Sequence, residues 1–216
     1  MNIGEVHAFH ASVKGYKFFG SGIEVYERRL RERILPILEE INKRNGVIFD
    51  VGTGNGDFLK EVKERFPNIV VLGSTLARPN NPAVDGIIIA NSAKDWPIKD
   101  NSIDRVFSVF SFCYFGDITK ALIETRRVLK EDGKAHIHLG GIEDIIIDGE
   151  NSLRFFENTR CIPYTTVLER IVSSWYRVDV VITIDKTTPI PILQHIKSDI
   201  IGHTQVNYLK STGEFA

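Results

Sequence analysis

The segment Val47–Gly56, Val-Ile-Phe-Asp-Val-Gly-Thr-Gly-Asn-Gly, constrains the fold more than any other part of this 216-residue chain. Its apolar start has the length and character of a buried strand. The strand runs straight into glycines at alternate positions, Gly52, Gly54 and Gly56. Glycines so placed permit a tight turn and let a ligand approach the backbone with no Cβ in the way. A helical pattern then starts near Asp57 and runs to Phe66. Strand, glycine turn and helix together predict a nucleotide-binding loop, with the Asp50 carboxylate two residues before the first glycine.

The alternation continues downstream. Strands are predicted at 47–51, 69–73, 86–90, 103–110 and 134–139, with helices at 57–66 and 117–130 and a short turn near 93–96. That order implies crossover units and a mainly parallel sheet. Pro79 to Pro82 marks a loop, so the second crossover is short or irregular, and Asp132-Gly133 reads as a turn into the fifth strand. Upstream, Ile23, Tyr26, Leu30, Ile34, Ile37, Leu38 and Ile41 recur at helical spacing. Pro36 either kinks that helix or opens a second one as its first residue, and Gly46 ends it. Beyond Gly141 the pattern predicts an irregular segment at 142–163, a helix at 164–175, a β-branched strand from Arg177 to Asp185 and a last strand from Thr204 to Leu209.

Composition excludes several function classes. A net charge of -1 gives no global attraction to nucleic acid or an anionic membrane. The Arg-rich stretch Glu27–Arg33 reads as a solvated helix face. Two cysteines, Cys113 and Cys161, make neither a disulfide framework nor a metal site. There is no basic segment followed by an apolar one at the N-terminus, and no apolar run near the ~20 residues of a membrane span. The expected address is the cytoplasm, with no metal, no nucleic acid and no membrane among the partners and a homodimer as an open possibility.

Three segments in register carry a family resemblance. They are Asp50-Val51-Gly52-Thr53-Gly54-Asn55-Gly56, Trp96-Pro97-Ile98-Lys99-Asp100-Asn101-Ser102-Ile103-Asp104, and Ala121-Leu122 through Arg127-Val128-Leu129-Lys130-Glu131-Asp132-Gly133. Over roughly residues 45–140 their order and spacing resemble a class I S-adenosylmethionine (SAM)-dependent methyltransferase of the small-molecule type that includes the ubiquinone/menaquinone-biosynthesis enzymes. The resemblance implies a Rossmann-like α/β fold: a three-layer α/β/α sandwich with a mainly parallel sheet of about seven strands, the last antiparallel. It implies one domain over 1–216, with 1–44 as a helical cap, 45–141 as the cofactor-binding core and 142–216 as the acceptor-side segment and last strands. The cofactor it implies is S-adenosyl-L-methionine, and the acceptor is an oxygen, nitrogen or carbon of a small molecule.

By the same resemblance, Asp50, Gly52, Thr53, Gly54 and Gly56 hold the methionine end, and Ser74, Thr75, Ser92, Ala93 and Ser111 complete the cofactor site. This chain departs from the family at two points. Where the family places an acid for the ribose hydroxyls, it has Ser74 or Thr75. Where the family often places an acid for the adenine, it has Ser92. A charged hydrogen bond is worth roughly 1.5–3 kcal/mol and a neutral one about 1, so both changes weaken the expected grip. Three readings stay open: SAM in an adjusted pose, with Asp95 helping; another nucleotide; or a catalytically silent partner-binding protein.

The end of the fourth strand, Ser108 to Phe115, carries aromatic Phe112, Tyr114 and Phe115 as either an acceptor wall or core. Strand alternation puts His136 and His138 on one face of the fifth strand. His138 is nearer the carboxyl end, where a base is useful, although a hydrogen-bonded core histidine fits the same pattern. Tyr114 and His138 are therefore the catalytic candidates. Tyr16, Phe18 and Phe19 read as a lid or as a hydrophobic staple, and Phe155, Phe156 and Tyr164 as determinants of acceptor specificity.

Overall fold

The computed structural model describes residues 22–75, 85–89, 95–109, 111–112, 115, 117–141, 145–148, 179–188, 190 and 192–195. Two helices come first, α1 (Ile23–Leu30) and α2 (Ile34–Lys43). The alternating part follows: β1 (Val47–Val51), α3 (Asp57–Arg65), β2 (Val70–Thr75), β3 (Gly86–Ile89), β4 (Ile103–Ser108), α4 (Ile118–Val128) and β5 (Leu129–Gly141). Three short strands complete the described elements, β6 (Ile145–Asp148), β7 (Asp179–Ile184) and β8 (Ile192–His195).

The main sheet has six strands in the order β3-β2-β1-β4-β5-β7. Strands β1 to β5 are mutually parallel, and β7 runs antiparallel to β5. This is the expected Rossmann-like arrangement, with six strands rather than about seven among the described residues. One apolar layer covers each face. Ile118, Ala121, Leu122 and Val128 of α4 pack with Phe49, Val51 and Val106 on one side. On the other side α1, α2 and α3 pack with Ile48, Val71 and Phe107. Three layers result because alternate residues of a buried parallel strand face opposite helices.

The N-terminal helical stretch breaks earlier than Pro36. Arg31, with φ 51°, ends α1, and α2 starts at Ile34. Glu27 bridges the break, since its Oε1 accepts from Ile34 N at 2.8 Å and Leu35 N at 3.2 Å. Pro36 then sits in the first turn of α2, where its missing N–H has no intrahelical partner to lose. The Asp132-Gly133 turn is a bulge inside β5: Ile103 pairs Leu129, and the register then jumps to Arg105 opposite Lys134. Residues 145–148, read from the sequence as irregular, form β6, which pairs β8 in a separate antiparallel sheet. Four residues are too short for periodicity to register. The expected helix at 164–175 and last strand at 204–209 lie outside the described residues.

The other two resemblance motifs tie the scaffold together. The Arg127 guanidinium donates to Trp96 O at 2.9 Å and Ile98 O at 2.8 Å while also bonding Glu124. Glu124 Oε2 accepts from Trp96 N at 2.8 Å, so α4 holds the turn that leads into β4. Asp104 is buried, accepts from Val47 N at 2.7 Å, and pairs with Arg44 at 3.0 Å and Lys130 at 2.8 Å. These charged residues, all but Arg44 legible in the sequence only as motif letters, anchor β1, β4 and β5 at their amino ends.

Candidate functional site

The site is built at the carboxyl end of β1, between β2 and β4, where open parallel sheets bind ligands. Gly52, Gly54 and Gly56 all take positive φ, at 78°, 57° and 82°. Neighbouring strands hold the first turn of this loop. Ser74 at the end of β2 receives Gly52 N–H on its Oγ at 3.1 Å, and its carbonyl receives Thr53 N–H at 2.8 Å. On the other flank Ser108 Oγ donates to Val51 O at 2.9 Å and Ser111 Oγ to Gly52 O at 3.1 Å. The loop turns back at Gly56, whose N–H donates to Thr53 O at 2.9 Å, and α3 begins at the next residue. Because its N-cap is glycine, no side chain caps the N-terminus of α3.

Asp50 lies under this turn and is completely buried. Tyr26 Oη, from α1, donates to both of its carboxylate oxygens at 2.9 Å. The Tyr26 ring stacks flat on Phe58 of α3, with centroids 3.8 Å apart and planes 4° from parallel. Burial pushes the Asp50 carboxyl up to about 7, against the opposing pull of the Tyr26 hydrogen bonds. Burial and the neighbouring Asp50 charge hold the Tyr26 phenol well above its ordinary value, so it stays a donor. Asp50 enters no ion pair among the described residues.

The same row continues across the sheet. Asp50 pairs Phe107 of β4, Phe107 pairs His136 of β5, and His136 pairs Thr183 of β7. Phe107 and His136 stack at 5.7 Å. His138 stands two residues further along the same face of β5 and is completely buried.

The structure thus gathers Asp50, Gly52, Thr53, Gly54, Gly56, Ser74 and Ser111 at one place. Ser74 and Ser111 both face the loop backbone and brace it. Thr75 ends β2 with 8% of its surface exposed. Asp95 points to solvent and pairs with Lys120 at 3.7 Å. Tyr114, Ser92 and Ala93 lie outside the described residues. Phe112 and Phe115 belong to the core on the α4 side. Sequence reasoning missed Tyr26 as a site residue, because its place in a helical repeat marks it as ordinary core. It missed Ser108 too, whose role depends on which strand lies beside β1. Among the described residues no group of three or more His, Cys, Asp or Glu is placed to hold a metal, and no helix is long and apolar enough to cross a membrane.

A family model described as a methyltransferase domain matches residues 49–137, from the middle of β1 to the middle of β5. Over those residues the chain is similar to a methyltransferase domain. The same region is similar to named proteins. One is the demethylmenaquinone methyltransferase of Thermotoga maritima, 29% identical over 113 residues, which are 50% of this chain and 48% of that protein. The enzyme of the same name from Thermus thermophilus is 34% identical over 116 residues, 49% of this chain and 51% of that one. A third is the malonyl-[acyl-carrier protein] O-methyltransferase of Geobacter sulfurreducens, 27% identical over 135 residues, 59% of this chain and 49% of that one. The chain spans about half the length of these curated relatives.

Proposed function

We propose that this protein transfers a methyl group from SAM to an oxygen, nitrogen or carbon of a small molecule. The observation that carries the reading is Asp50, a fully buried carboxylate with no ion-pair partner among the described residues, set directly under the glycine turn. Such a group is costly unless a cation meets it. The methionine end of SAM offers one in its ammonium, and offers a carboxylate that suits the uncapped N-terminus of α3. The donor set therefore fits that end of the cofactor. Thr75, a neutral hydroxyl, stands at the end of β2, so the ribose subsite depends on weaker bonds than a carboxylate would make.

When bound, SAM supplies a methyl group on a sulfonium, which is already a good leaving group. The chain's part is to hold and orient. Asp50 and the loop backbone fix the methionine end, and alignment for in-line attack follows from that positioning. His138 is our proposed base for an acceptor that must lose a proton. Its complete burial on the Asp50 face requires that acceptor to be enclosed when the proton moves. Tyr114, which follows the fourth strand in the sequence, is our second proposed acceptor-side residue.

Calorimetric titration with S-adenosylhomocysteine, the demethylated product, tests the reading. Micromolar binding supports it and opens an acceptor screen. No heat and no thermal shift would overturn it in favour of a non-catalytic role or another nucleotide.

A further inference from the structure

Tyr26 has a hydroxyl that packing does not require. The ring is buried and stacked face to face on Phe58, and a phenylalanine would make the same stack. The hydroxyl bonds Asp50, at 2.9 Å from each carboxylate oxygen. Equal distances put it on the bisector of the carboxylate. That position leaves the outer lone pair of each oxygen open to further donors.

We propose, resting on the cofactor reading above, that Tyr26 is a positioning residue of the cofactor site: its hydroxyl holds Asp50 oriented and ionised to receive the ammonium of the ligand's amino-acid end. The interaction is charge-assisted only when Asp50 is an anion, so Tyr26 favours that form. Without the hydroxyl, Asp50 stays protonated to higher pH, and a protonated Asp50 offers the ammonium no countercharge. Tyr26 thus couples the packing of the N-terminal helix to the charge state of the loop. It also makes ligand affinity rise with pH across the range in which Asp50 ionises.

Other titratable groups stand on the elements around Asp50. They are Arg29 on α1, Asp57 at the start of α3, and His136 and His138 on β5. Asp57 adds a negative charge near the phenol, which keeps it protonated. Histidine is the side chain that ordinarily ionises in this pH range, so the test must separate these two from Asp50.

S-adenosylhomocysteine is titrated calorimetrically into the wild-type chain, Tyr26→Phe and Asp50→Asn between pH 5.5 and 8. The wild-type affinity should rise with pH. Tyr26→Phe should bind about threefold to tenfold more weakly near pH 6.5 and approach the wild type at pH 8, the mark of a displaced ionisation. Asp50→Asn should lose the pH dependence. Equal weakening of Tyr26→Phe at every pH would reduce Tyr26 to a structural part and overturn the proposal. A pH dependence that persists in Asp50→Asn would assign the ionisation to a histidine and overturn it as well. Absence of binding by the wild type at any pH overturns the cofactor reading itself. Carbon-13 NMR of the Asp50 carboxyl in the ligand-free protein isolates the Tyr26 step. An unmoved midpoint in Tyr26→Phe overturns that step while leaving the cofactor reading intact.

Discussion

The Ser111 side chain occupies the space that a β-carbon on Gly52 would fill. Its hydroxyl bonds the Gly52 carbonyl from that position. The first turn of the loop is therefore closed by a residue 59 positions away in sequence, just past the carboxyl end of β4. Gly52 is required twice, for its φ of 78° and for this contact.

Gly52→Ala should destabilise the fold by about 1–3 kcal/mol, from left-handed backbone strain plus the overlap. Adding Ser111→Gly removes the overlap but not the strain. The double variant should be more stable than Gly52→Ala alone in urea denaturation, and equal stabilities would mean that the contact is not limiting.

Gly54→Val tests the next position. Its φ of 57° is unfavourable for a β-branched residue, and the new side chain stands where a ligand has to approach the backbone. The variant should fold with a lowered Tm and show no detectable S-adenosylhomocysteine binding. Unchanged affinity would sink the loop assignment.

Asp50 gives a stability signature that does not depend on any ligand. Its carboxyl ionises near 7 in the folded chain and near its ordinary value of 3.8 when unfolded. Between those values the folded state holds a proton that the unfolded state has released, so stability falls as pH rises across that window. Asp50→Asn removes this loss. It should gain on the wild type from pH 4 to 7 and level off above, with a total change on the order of 4 kcal/mol. Urea denaturation at several pH values checks it, and a gap constant with pH would contradict the ionisation.

Arg127 should resist replacement by lysine. One guanidinium reaches Trp96 O, Ile98 O and Glu124 together, which a single ammonium cannot do. Arg127→Lys should cost about 1–3 kcal/mol, and Arg127→Ala at least as much, in chemical denaturation. A lysine variant as stable as the wild type would show that the carbonyl contacts carry no weight.

The three motifs and the strand–helix alternation were enough to predict the parallel strands and the glycine turn, and to single out Asp50 two residues before it. These follow from local rules: strand and helix periodicities of the apolar residues, and the freedom of glycine at positive φ. The mainly parallel sheet was legible from these local rules, and the Rossmann-like arrangement was implied by the resemblance that the three motifs carry. Tertiary structure alone decided what each polar group does. Ser74 and Ser111 brace the loop because β2 and β4 flank β1, a neighbour relation set by crossovers and not by chain distance. Tyr26 joins the site because α1 packs on α3 and turns one hydroxyl of an apolar stripe toward Asp50. Periodicity tells which residues are buried; a buried hydrogen bond requires knowing which element lies opposite.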